Sequence, residues 1–528
     1  MSLTAARPTA AAQPAVVSAR YRWAASGIIA LGSVASILSS TTVNVAVPTL
    51  EKVFHATLTD IQWVATAYLL GLAAVIPISG WVSDRFGTKR VYLFTLAVFV
   101  VTSLLCGFAR TVETEIAFRI LQGLAGGMVM PVGMSMLMHI TPPHERGRMM
   151  GTVGVPMLLA PALGPTVAGW LIQNFSWEYI FWINIPFGLI AIVLAWFWLR
   201  DSIRVEPGPL DLVGLLLCTP GVTVFIFGVT QASVYGWGSG AALLPMAAGV
   251  GLTALFVAWE LRQPRPLLEL GVFRDAAFSA AILVGVLLAG GMFGATFIVP
   301  VFLQQVQGYS ALSAGVVLAA QGLGTIVALP ISGWLTDRYG ARVVVFSGIC
   351  MLVVVSFAMA TVGPDTSSGE WAALLAGRGL AVGFSMMPAF SAAYVTIEPR
   401  LISRATALAN TAQRMASSLG IAVIATITAD RVAAHLPAVS PQMLIGEGAK
   451  RHIVQQAVAQ GFDQALLVTG GMSMVALGAT MLLRRPLASG PGSAHPPLAA
   501  PLRRLAVVLS VFGLLGLALS IVLGFNLL

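Results

Sequence analysis

A charged segment occurs twice in this chain, and its residue types can form and break contacts between helices. Residues 77–91 read PISGWVSDRFGTKRV and residues 330–344 read PISGWLTDRYGARVV, so nine of fifteen positions are identical. Each copy carries an aspartate beside basic residues, and such an aspartate can accept hydrogen bonds from a helix N-terminus or form ion pairs. A repeat at this spacing indicates two similar halves in one protein.

Glycines and charges recur at fixed places in both copies, which fit the pattern G-x-x-x-D-R-x-G-x-[KR]. Gly80 and Gly333 allow close approach of a neighbouring helix, and Gly87 and Gly340 supply a tight turn. The remaining members of this predicted gating motif are Asp84, Arg85, Lys89, Arg90, Asp337 and Arg338. The alternative is that these charges only fix the membrane topology, but the duplicated aspartates and glycines favour a gate.

The elements that must position these residues are membrane-spanning helices. Charged residues make up only 9% of the 528 residues and hydrophobic residues 57%, with a mean hydropathy of +0.89. Soluble domains carry about 25% charged residues. Apolar runs of about 20 residues, the length that crosses a bilayer, recur along the chain. The predicted fold class is therefore an all-α polytopic membrane protein, since a transmembrane β-barrel would show alternating segments of about 10 residues.

Fourteen predicted spans and the spacing of the repeat indicate six plus two plus six transmembrane helices. Each copy of the repeat joins the second and third helix of a half, and eight helices rather than six separate the copies. The predicted parts are a disordered cytoplasmic tail at 1–22, an N-terminal six-helix half at 23–200, an inserted two-helix hairpin at 201–275, a C-terminal six-helix half at 276–485 with a long outer loop at 431–462, a cytoplasmic linker at 486–504, and an additional transmembrane or interfacial helix at 505–528.

The net charge of +9 is distributed unevenly along the chain. Most of the 29 lysines and arginines fall in alternate connections between the predicted spans, which is the positive-inside pattern. This pattern predicts that the N-terminus and both repeated segments face the cytoplasm. It also indicates that the positive charge interacts with the lipid bilayer and not with a nucleic acid.

The repeated segments resemble those of the major facilitator superfamily, and other segments extend the resemblance. The chain reads NVAVPTL at 44–50, RILQGLAGG at 119–127 and APALGPTVAGW at 160–170. Together these segments look like the fourteen-helix drug:proton antiporter family of the EmrB/QacA type, which implies a major facilitator fold. The resemblance further implies a multi-pass transporter of the bacterial inner membrane, and not an enzyme. Such a protein exports small hydrophobic or amphiphilic compounds in exchange for protons, without a cofactor or a metal.

The predicted fifth span is crowded with glycine and proline. By resemblance it carries the antiporter motif that is associated with export, and the motif residues are Gly154, Pro161, Gly164, Pro165 and Gly169. Proline removes a backbone hydrogen bond from a helix, and neighbouring helices can accommodate the freed group. We therefore expect a kinked helix with a small surface on which another helix packs. The alternative is an ordinary kinked helix without a role in export.

Arg119 lies about two turns inside the predicted fourth span, where a charge is costly and normally has a partner. The resemblance implies that it is linked to proton coupling. Asp60 and Glu113, near the outer ends of their spans, are further coupling candidates. The cavity candidates are Ser39, Asn44, Arg378 and Arg414. Both of these arginines can instead be structural, with side chains that reach the membrane interface or bond to the backbone.

The first span departs from the family pattern. It reads LSSTTVNVAVP at 38–48, with Ser39 where the family usually carries an aspartate, and no carboxylate lies near the middle of any predicted span. A cavity with arginines and no carboxylate should not select strongly for cations. Two hypotheses stay open: proton-coupled multidrug efflux, and export of a specific lipid, siderophore or endogenous metabolite on the same fold. A periplasmic adaptor protein would be a further partner if the source is Gram-negative.

Overall fold

The structure is a computed structural model that describes residues 18–56, 58–142, 145–200, 208–264, 266–309, 311–363, 366–398, 401–435 and 447–481. The predicted linker at 486–504 and helix at 505–528 lie outside these residues. Within the predicted N-terminal tail, helical structure already begins at Ala19.

The described residues form helices joined by short turns. The first eight are α1 (Ala19–Phe54), α2 (Leu58–Val75), α3 (Ser79–Phe86), α4 (Thr88–Cys106), α5 (Val112–Ile140), α6 (Arg146–Asn174), α7 (Tyr179–Trp182) and α8 (Asn184–Trp198). The next two are α9 (Leu212–Tyr235) and α10 (Gly240–Glu260). The last six are α11 (Ala276–Gln305), α12 (Ala311–Tyr339), α13 (Ala341–Met359), α14 (Ser368–Ala393), α15 (Ile402–His435) and α16 (Glu447–Thr480). Two 3-10 helices, Ile76–Ile78 and Leu270–Arg274, connect neighbouring elements.

Most of these helices have the length and composition of membrane spans. Within the described residues, 12 helical segments are long and apolar enough to cross a membrane. A helix is suited to this role because it satisfies its own backbone hydrogen bonds where lipid offers no partner. The all-α polytopic class is therefore confirmed. Two further helices, α6 and α15, have 29 and 34 residues but contain a larger share of polar residues or glycines than the other long helices. The count of fourteen spans therefore stays a prediction.

Polar side chains mark where several helices begin. Thr111 and Ser367 each form a capping box at the start of α5 and α14, in which side chain and backbone groups satisfy one another. Asp211 and Asp275 cap α9 and α11, and the Asp275 carboxylate accepts hydrogen bonds from two backbone N–H groups of its own helix at 2.7 and 2.9 Å. These local signals define helix boundaries that hydrophobicity alone leaves open.

Both repeated segments turn at a single glycine. Gly87 has φ 87° and Gly340 has φ 85°, a backbone conformation that favours glycine. The charged loop expected between spans is otherwise helical, since Asp84 lies in the last turn of α3 and Asp337 in that of α12. The two copies of the repeat differ in the residues that precede the aspartate. A 3-10 turn at Ile76–Ile78 separates α2 from α3, whereas α12 continues through its proline.

The helices pack as two bundles and a hairpin. We call α1 to α8 the N-terminal bundle, α11 to α16 the C-terminal bundle, and α9 with α10 the hairpin. Contacts between bundles run from α6 to α12 and α14, and from α15 to α3 and α5. The hairpin helix α9 lies between α2 and α15, where Trp63 stacks on Phe227 with ring centroids 5.6 Å apart. We call the side of the molecule that carries Gly87 and Gly340 the repeat side.

Helical structure occupies much of the predicted outer loop at 431–462. Helix α15 continues to His435 and α16 begins at Glu447, while residues 436–446 lie outside the described part. The sequence EGAKRHIVQQAVAQGF at 447–462 is rich in alanine, glutamine and basic residues, which have high helix propensity. The helices on both sides are consequently longer than the predicted spans.

The positive φ of Gly87 predicts the effect of adding a methyl group at this residue. Alanine rarely adopts this conformation, so Gly87→Ala should cost about 1–3 kcal/mol and lower the Tm of the purified protein in detergent. Gly251→Ala is the control, because a methyl group at this exposed α10 position meets nothing within 4 Å. Its Tm should stay unchanged or rise, since alanine favours helices over glycine. Equal Tm values for the two variants would contradict the strain at Gly87.

Candidate transport site and gate

A buried arginine joins three helices of the N-terminal bundle. Arg119 of α5 is fully buried. Its Nε donates to the carbonyl oxygen of Val64 at 3.2 Å, and its Nη2 donates to that of Ser39 at 3.1 Å. Its Nη1 donates to Ser39 Oγ at 2.8 Å and to Gln122 Oε1 at 2.5 Å. The predicted coupling residue therefore has the partners that a charge inside a membrane protein requires, and they connect α5 to α1 and α2.

The same guanidinium lies over aromatic rings. Its Cζ is 4.1 Å from the ring centroid of Tyr68 and 5.7 Å from that of Phe181. The Tyr68 hydroxyl donates in turn to the carbonyl oxygen of Ser36 at 2.7 Å, and Gln122 Nε2 donates to Ser103 Oγ at 2.7 Å. The bonded partners of the arginine are therefore neutral, and dipoles and ring faces stabilise its charge.

Ser39 stands where the family pattern places an aspartate, and it binds the arginine directly. Its hydroxyl accepts a hydrogen bond from Arg119 and donates one to Gln122 Oε1 at 3.2 Å. The side chain is buried, with 1% of its surface exposed, so it lies in the bundle interior. An aspartate here would neutralise the arginine, whereas serine leaves this bonded group with a net positive charge.

One buried carboxyl group near Arg119 is not among the sequence-based coupling candidates. Glu115 lies one helical turn before Arg119 on α5 and is fully buried. Neither of its side-chain oxygens has a hydrogen-bond partner among the described residues. The signal that identifies it is the spacing in ETEIAFR, because residues four apart share one face of a helix.

The two acids that the sequence analysis favoured lie elsewhere. Asp60 and Glu113 are exposed residues in the first turns of α2 and α5. Acidic side chains there interact favourably with the positive end of the helix dipole. Neither carboxylate belongs to the bonded group around Arg119.

On the repeat side, Asp337 of the C-terminal bundle contacts the start of α6 in the N-terminal bundle. Its Oδ1 accepts a hydrogen bond from the backbone N–H of Gly147 at 3.0 Å, and its Oδ2 accepts one from that of Arg148 at 3.2 Å. A methyl group on Gly333 would lie 2.7 Å from the carbonyl oxygen of Gly147. The glycine thus permits the close approach that the aspartate needs.

Asp84 makes the corresponding contact in the opposite direction. It lies 3.6 Å from the Nε of Arg404, at the start of α15 in the C-terminal bundle. A methyl group on Gly80 would lie 3.1 Å from the Cα atom of Arg404. Arg404 also donates to the carbonyl oxygen of Pro266 at 3.1 Å and lies 3.9 Å from Glu269. The segment between the hairpin and α11 therefore takes part in this contact.

The basic residues of the predicted gating motif have other neighbours. Lys89 Nζ donates to the carbonyl oxygen of Trp196 at the end of α8 at 2.8 Å. The Arg338 guanidinium lies 5.3 Å from the ring centroid of Trp334. The exposed members are Arg85, Arg90 and Arg338. The contacts between bundles described above therefore involve the aspartates and glycines, while Arg85, Arg90 and Arg338 lie at the surface.

Helix α6, which carries the predicted antiporter motif, presents glycines to both bundles. A methyl group on Gly151 would lie 2.5 Å from the carbonyl oxygen of Leu329 on α12. One on Gly154 would lie 2.8 Å from the side chain of Met387 on α14. Farther along, a methyl group on Gly164 would meet α1, and one on Gly169 would meet nothing within 4 Å. The small surface thus contacts the C-terminal bundle near the repeat side. The side chains of Pro161 and Pro165 lie outside the described residues.

The remaining cavity candidates separate into two environments. Arg378 is 2% exposed, and its Nη2 donates to the carbonyl oxygen of Met292 at 3.3 Å, which fits the backbone-bonded alternative. Arg414 is partly exposed and close enough to Tyr68 of the other bundle to interact with it electrostatically. The side chain of Asn44 lies outside the described residues.

The Asp337 contact predicts that neutralising one carboxylate opens the repeat side. Asp337→Asn weakens the interaction with the N-terminus of α6, which is worth about 0.3–2 kcal/mol for such groups. Spin labels at Phe86 and Tyr339, exposed residues beside the two turns, should report a larger population of long distances in the variant by pulsed electron resonance.

Asp275→Asn is the matched control for this experiment. Its carboxylate also caps a helix, but that helix is its own α11, so no contact between bundles is lost. The distance distribution of this control should match that of the parent protein. A D337N distribution that also matches the parent would show that the carboxylate does not hold the bundles together.

Comparison with known proteins agrees with this architecture. The family model described as Major Facilitator Superfamily matches residues 29–421. The Multidrug resistance protein B homolog of Mycobacterium tuberculosis is 36% identical over 406 residues, which cover 76% of this chain and 75% of that protein. The Multidrug export protein EmrB of Haemophilus influenzae is 32% identical over 412 residues, which cover 77% and 80% of the two chains.

A solved structure shares the fold at low sequence identity. The proton:xylose symporter XylE superposes with a TM-score of 0.57 at 14% identity, over 86% of this chain and 95% of that one. The predicted major facilitator fold is therefore confirmed, and so is the resemblance on which it rested. The family model covers well over half of the chain and both relatives exceed 30% identity, so the chain belongs to the Major Facilitator Superfamily, in its EmrB/QacA type, and is a multi-pass membrane transporter and not an enzyme.

Proposed function

We propose that this protein is a secondary active exporter that moves small hydrophobic or amphiphilic compounds out of a bacterial cell in exchange for protons. The observation that carries the proposal is the pair of contacts between bundles at Asp84 and Asp337. Each carboxylate meets the start of a helix in the opposite bundle, and each contact can be replaced by water. Such contacts suit a gate that closes one side of the molecule while the other side opens, as alternating access requires.

The repeat side faces the cytoplasm in this proposal. Basic residues gather there on both bundles, and examples are Arg85, Arg90, Arg148, Arg338 and Arg342. Basic residues are enriched on the cytoplasmic side of membrane proteins. The conformation described here is then closed toward the cytoplasm.

Movement between the two conformations is a rocking of the two predicted halves, residues 23–200 and 276–485, about their shared surface. The glycines of α6 support this, because Gly147, Gly151 and Gly154 let α6 approach α12 and α14 without interlocking side chains. Two relatives are named for multidrug resistance and multidrug export, which supports the outward direction. In a Gram-negative source, a periplasmic adaptor protein would receive the exported compound.

A second candidate function is the export of one specific lipid, siderophore or endogenous metabolite. The observation that favours it is the neutral set of partners around Arg119, with Ser39 in place of a carboxylate. Arg119 and the partly exposed Arg414 give the region around Tyr68 a positive field. That field favours neutral or anionic compounds over cations, which is unlike a transporter specialised for cationic drugs.

The two candidates are distinguished by transport in proteoliposomes under an imposed pH gradient. The probes are ethidium, phenylnaphthylamine and anilinonaphthalene sulfonate, which are a cation, a neutral amphiphile and an anion. We expect gradient-driven transport of the neutral and anionic probes in preference to ethidium. Transport of several probes supports multidrug efflux, whereas transport of none of the three, with a functional pH gradient, favours a specific cargo.

Ser39→Asp tests the origin of the charge preference. The new carboxylate should neutralise Arg119 and raise transport of ethidium relative to the anionic probe by about fivefold, as expected for about 1 kcal/mol of electrostatic energy. Ser39→Ala is the control, because it removes the hydroxyl without adding a charge, and its ratio should stay that of the parent protein. A parent protein that already prefers ethidium would contradict the charge argument, and transport that ignores the gradient would contradict exchange with protons.

A further inference from the structure

One buried acid is not explained by the gate or by the bonded group around Arg119. Glu115 is fully buried in α5, and both of its carboxyl oxygens are without a hydrogen-bond partner among the described residues. An ionised carboxylate in this condition loses its hydration, and the penalty amounts to several kcal/mol even after relaxation. An apolar residue of similar size would pack there without this penalty. The carboxyl group is therefore unfavourable as a purely structural element.

The surroundings of Glu115 contain few other ionisable groups. Arg119 follows on the same helix, and the thiol of Cys106, the last residue of α4, lies beside the carboxyl group. The ring centroid of Tyr68 on α2 lies 4.1 Å from the Cζ atom of the arginine. From α1 the nearest partner of the arginine is the neutral Ser39. The only cation that acts on the carboxyl group within the described residues is thus Arg119.

The bonds of Arg119 show that this cation is not paired with Glu115 in the present conformation. Four of its five N–H groups donate to oxygen atoms of Ser39, Val64 and Gln122. These acceptors are neutral. A carboxyl group that retains its proton carries no charge, so it leaves the arginine free to make these bonds. The geometry therefore fits a Glu115 that carries its proton.

We propose that Glu115 is the proton-binding residue of this transporter and that Arg119 is its partner when the proton is absent. The inference rests on the proposed exchange with protons and names the group that performs it. Outside, the carboxylate takes a proton from water and an O–H bond forms. Inside, that O–H bond breaks, the proton passes to water, and the carboxylate left behind pairs with the guanidinium one turn away. Residues at this spacing are about 5–6 Å apart at Cβ, so side-chain rotation is enough to form the pair.

The change of partner connects the proton to the movement of helices. When Arg119 turns toward a Glu115 carboxylate, it gives up bonds to Ser39 on α1 and to Val64 on α2. Those bonds join three helices of the N-terminal bundle. Their loss changes how α1 and α2 pack on α5, which provides a two-state element that the proton controls. Glu115 thereby supplies the acid that the first span lacks at Ser39.

The test compares Glu115→Gln with Glu113→Gln in proteoliposomes, using ethidium, phenylnaphthylamine and anilinonaphthalene sulfonate separately. Glutamine is uncharged, like the protonated acid, and cannot release a proton. We expect E115Q to lose gradient-driven accumulation by about tenfold, within the usual range for coupling between two sites. In the absence of a pH gradient, E115Q should still exchange probe molecules outside the proteoliposomes for those inside. E113Q replaces an exposed acid on the same helix and should match the parent protein in both measurements.

The outcomes separate this inference from the proposed function. A parent protein that ignores the pH gradient refutes exchange with protons, whatever the variants do. A parent protein that responds, together with an E115Q variant that accumulates probe equally well, refutes only the role of Glu115. If E115Q loses accumulation and exchange to the same extent and also has a lower Tm, Glu115 has a structural role. That result also overturns the inference.

Carbodiimide labelling of the parent protein keeps the inference testable if E115Q does not fold. Dicyclohexylcarbodiimide reacts with protonated carboxyl groups in apolar surroundings, and mass spectrometry locates the adduct. We expect the adduct at Glu115, with loss of gradient-driven accumulation in parallel. Inhibition by the reagent without an adduct at Glu115 would place the proton site on another acid and overturn the inference.

Discussion

A carboxylate from each bundle lies against the first turn of a helix in the other bundle, and in the proposed transport cycle these contacts help to close the repeat side. The first turn of a helix exposes N–H groups without intrahelical partners and carries a partial positive charge. A carboxylate satisfies both, as Asp337 does with Gly147 and Arg148. The Asp337 interaction is worth about 0.3–2 kcal/mol, which is small enough to be formed and broken in each turn of the proposed transport cycle.

The two contacts are related by the sequence repeat but use different chemistry. Asp337 binds backbone N–H groups, whereas Asp84 forms an ion pair with the side chain of Arg404. The same arginine contacts Pro266 and Glu269 in the segment that follows the hairpin. The segment that links the hairpin to α11 therefore takes part in the Asp84 contact between the bundles.

The buried arginines of the two bundles have different surroundings. In the N-terminal bundle, Arg119 donates four hydrogen bonds to three helices and has a buried acid one turn away. In the C-terminal bundle, Arg378 donates a hydrogen bond of 3.3 Å to the backbone carbonyl oxygen of Met292, and its Nη1 has no partner among the described residues. In the proposal above, the proton-binding acid therefore lies in the N-terminal bundle. The arginine of the other bundle is held by the backbone.

Much of the fold is determined by the sequence alone, because the responsible signals are local. Apolar runs of sufficient length identify helices in lipid, the positive-φ turns at Gly87 and Gly340 require glycine, and the repeated motif and its neighbours identify the superfamily. Only the tertiary structure decided that Asp84 meets Arg404, and that Glu115 is buried while Asp60 and Glu113 are exposed. The reason is physical: membrane helices are apolar on nearly every face, so their sequences do not fix how each helix rotates about its axis or which helices become its neighbours.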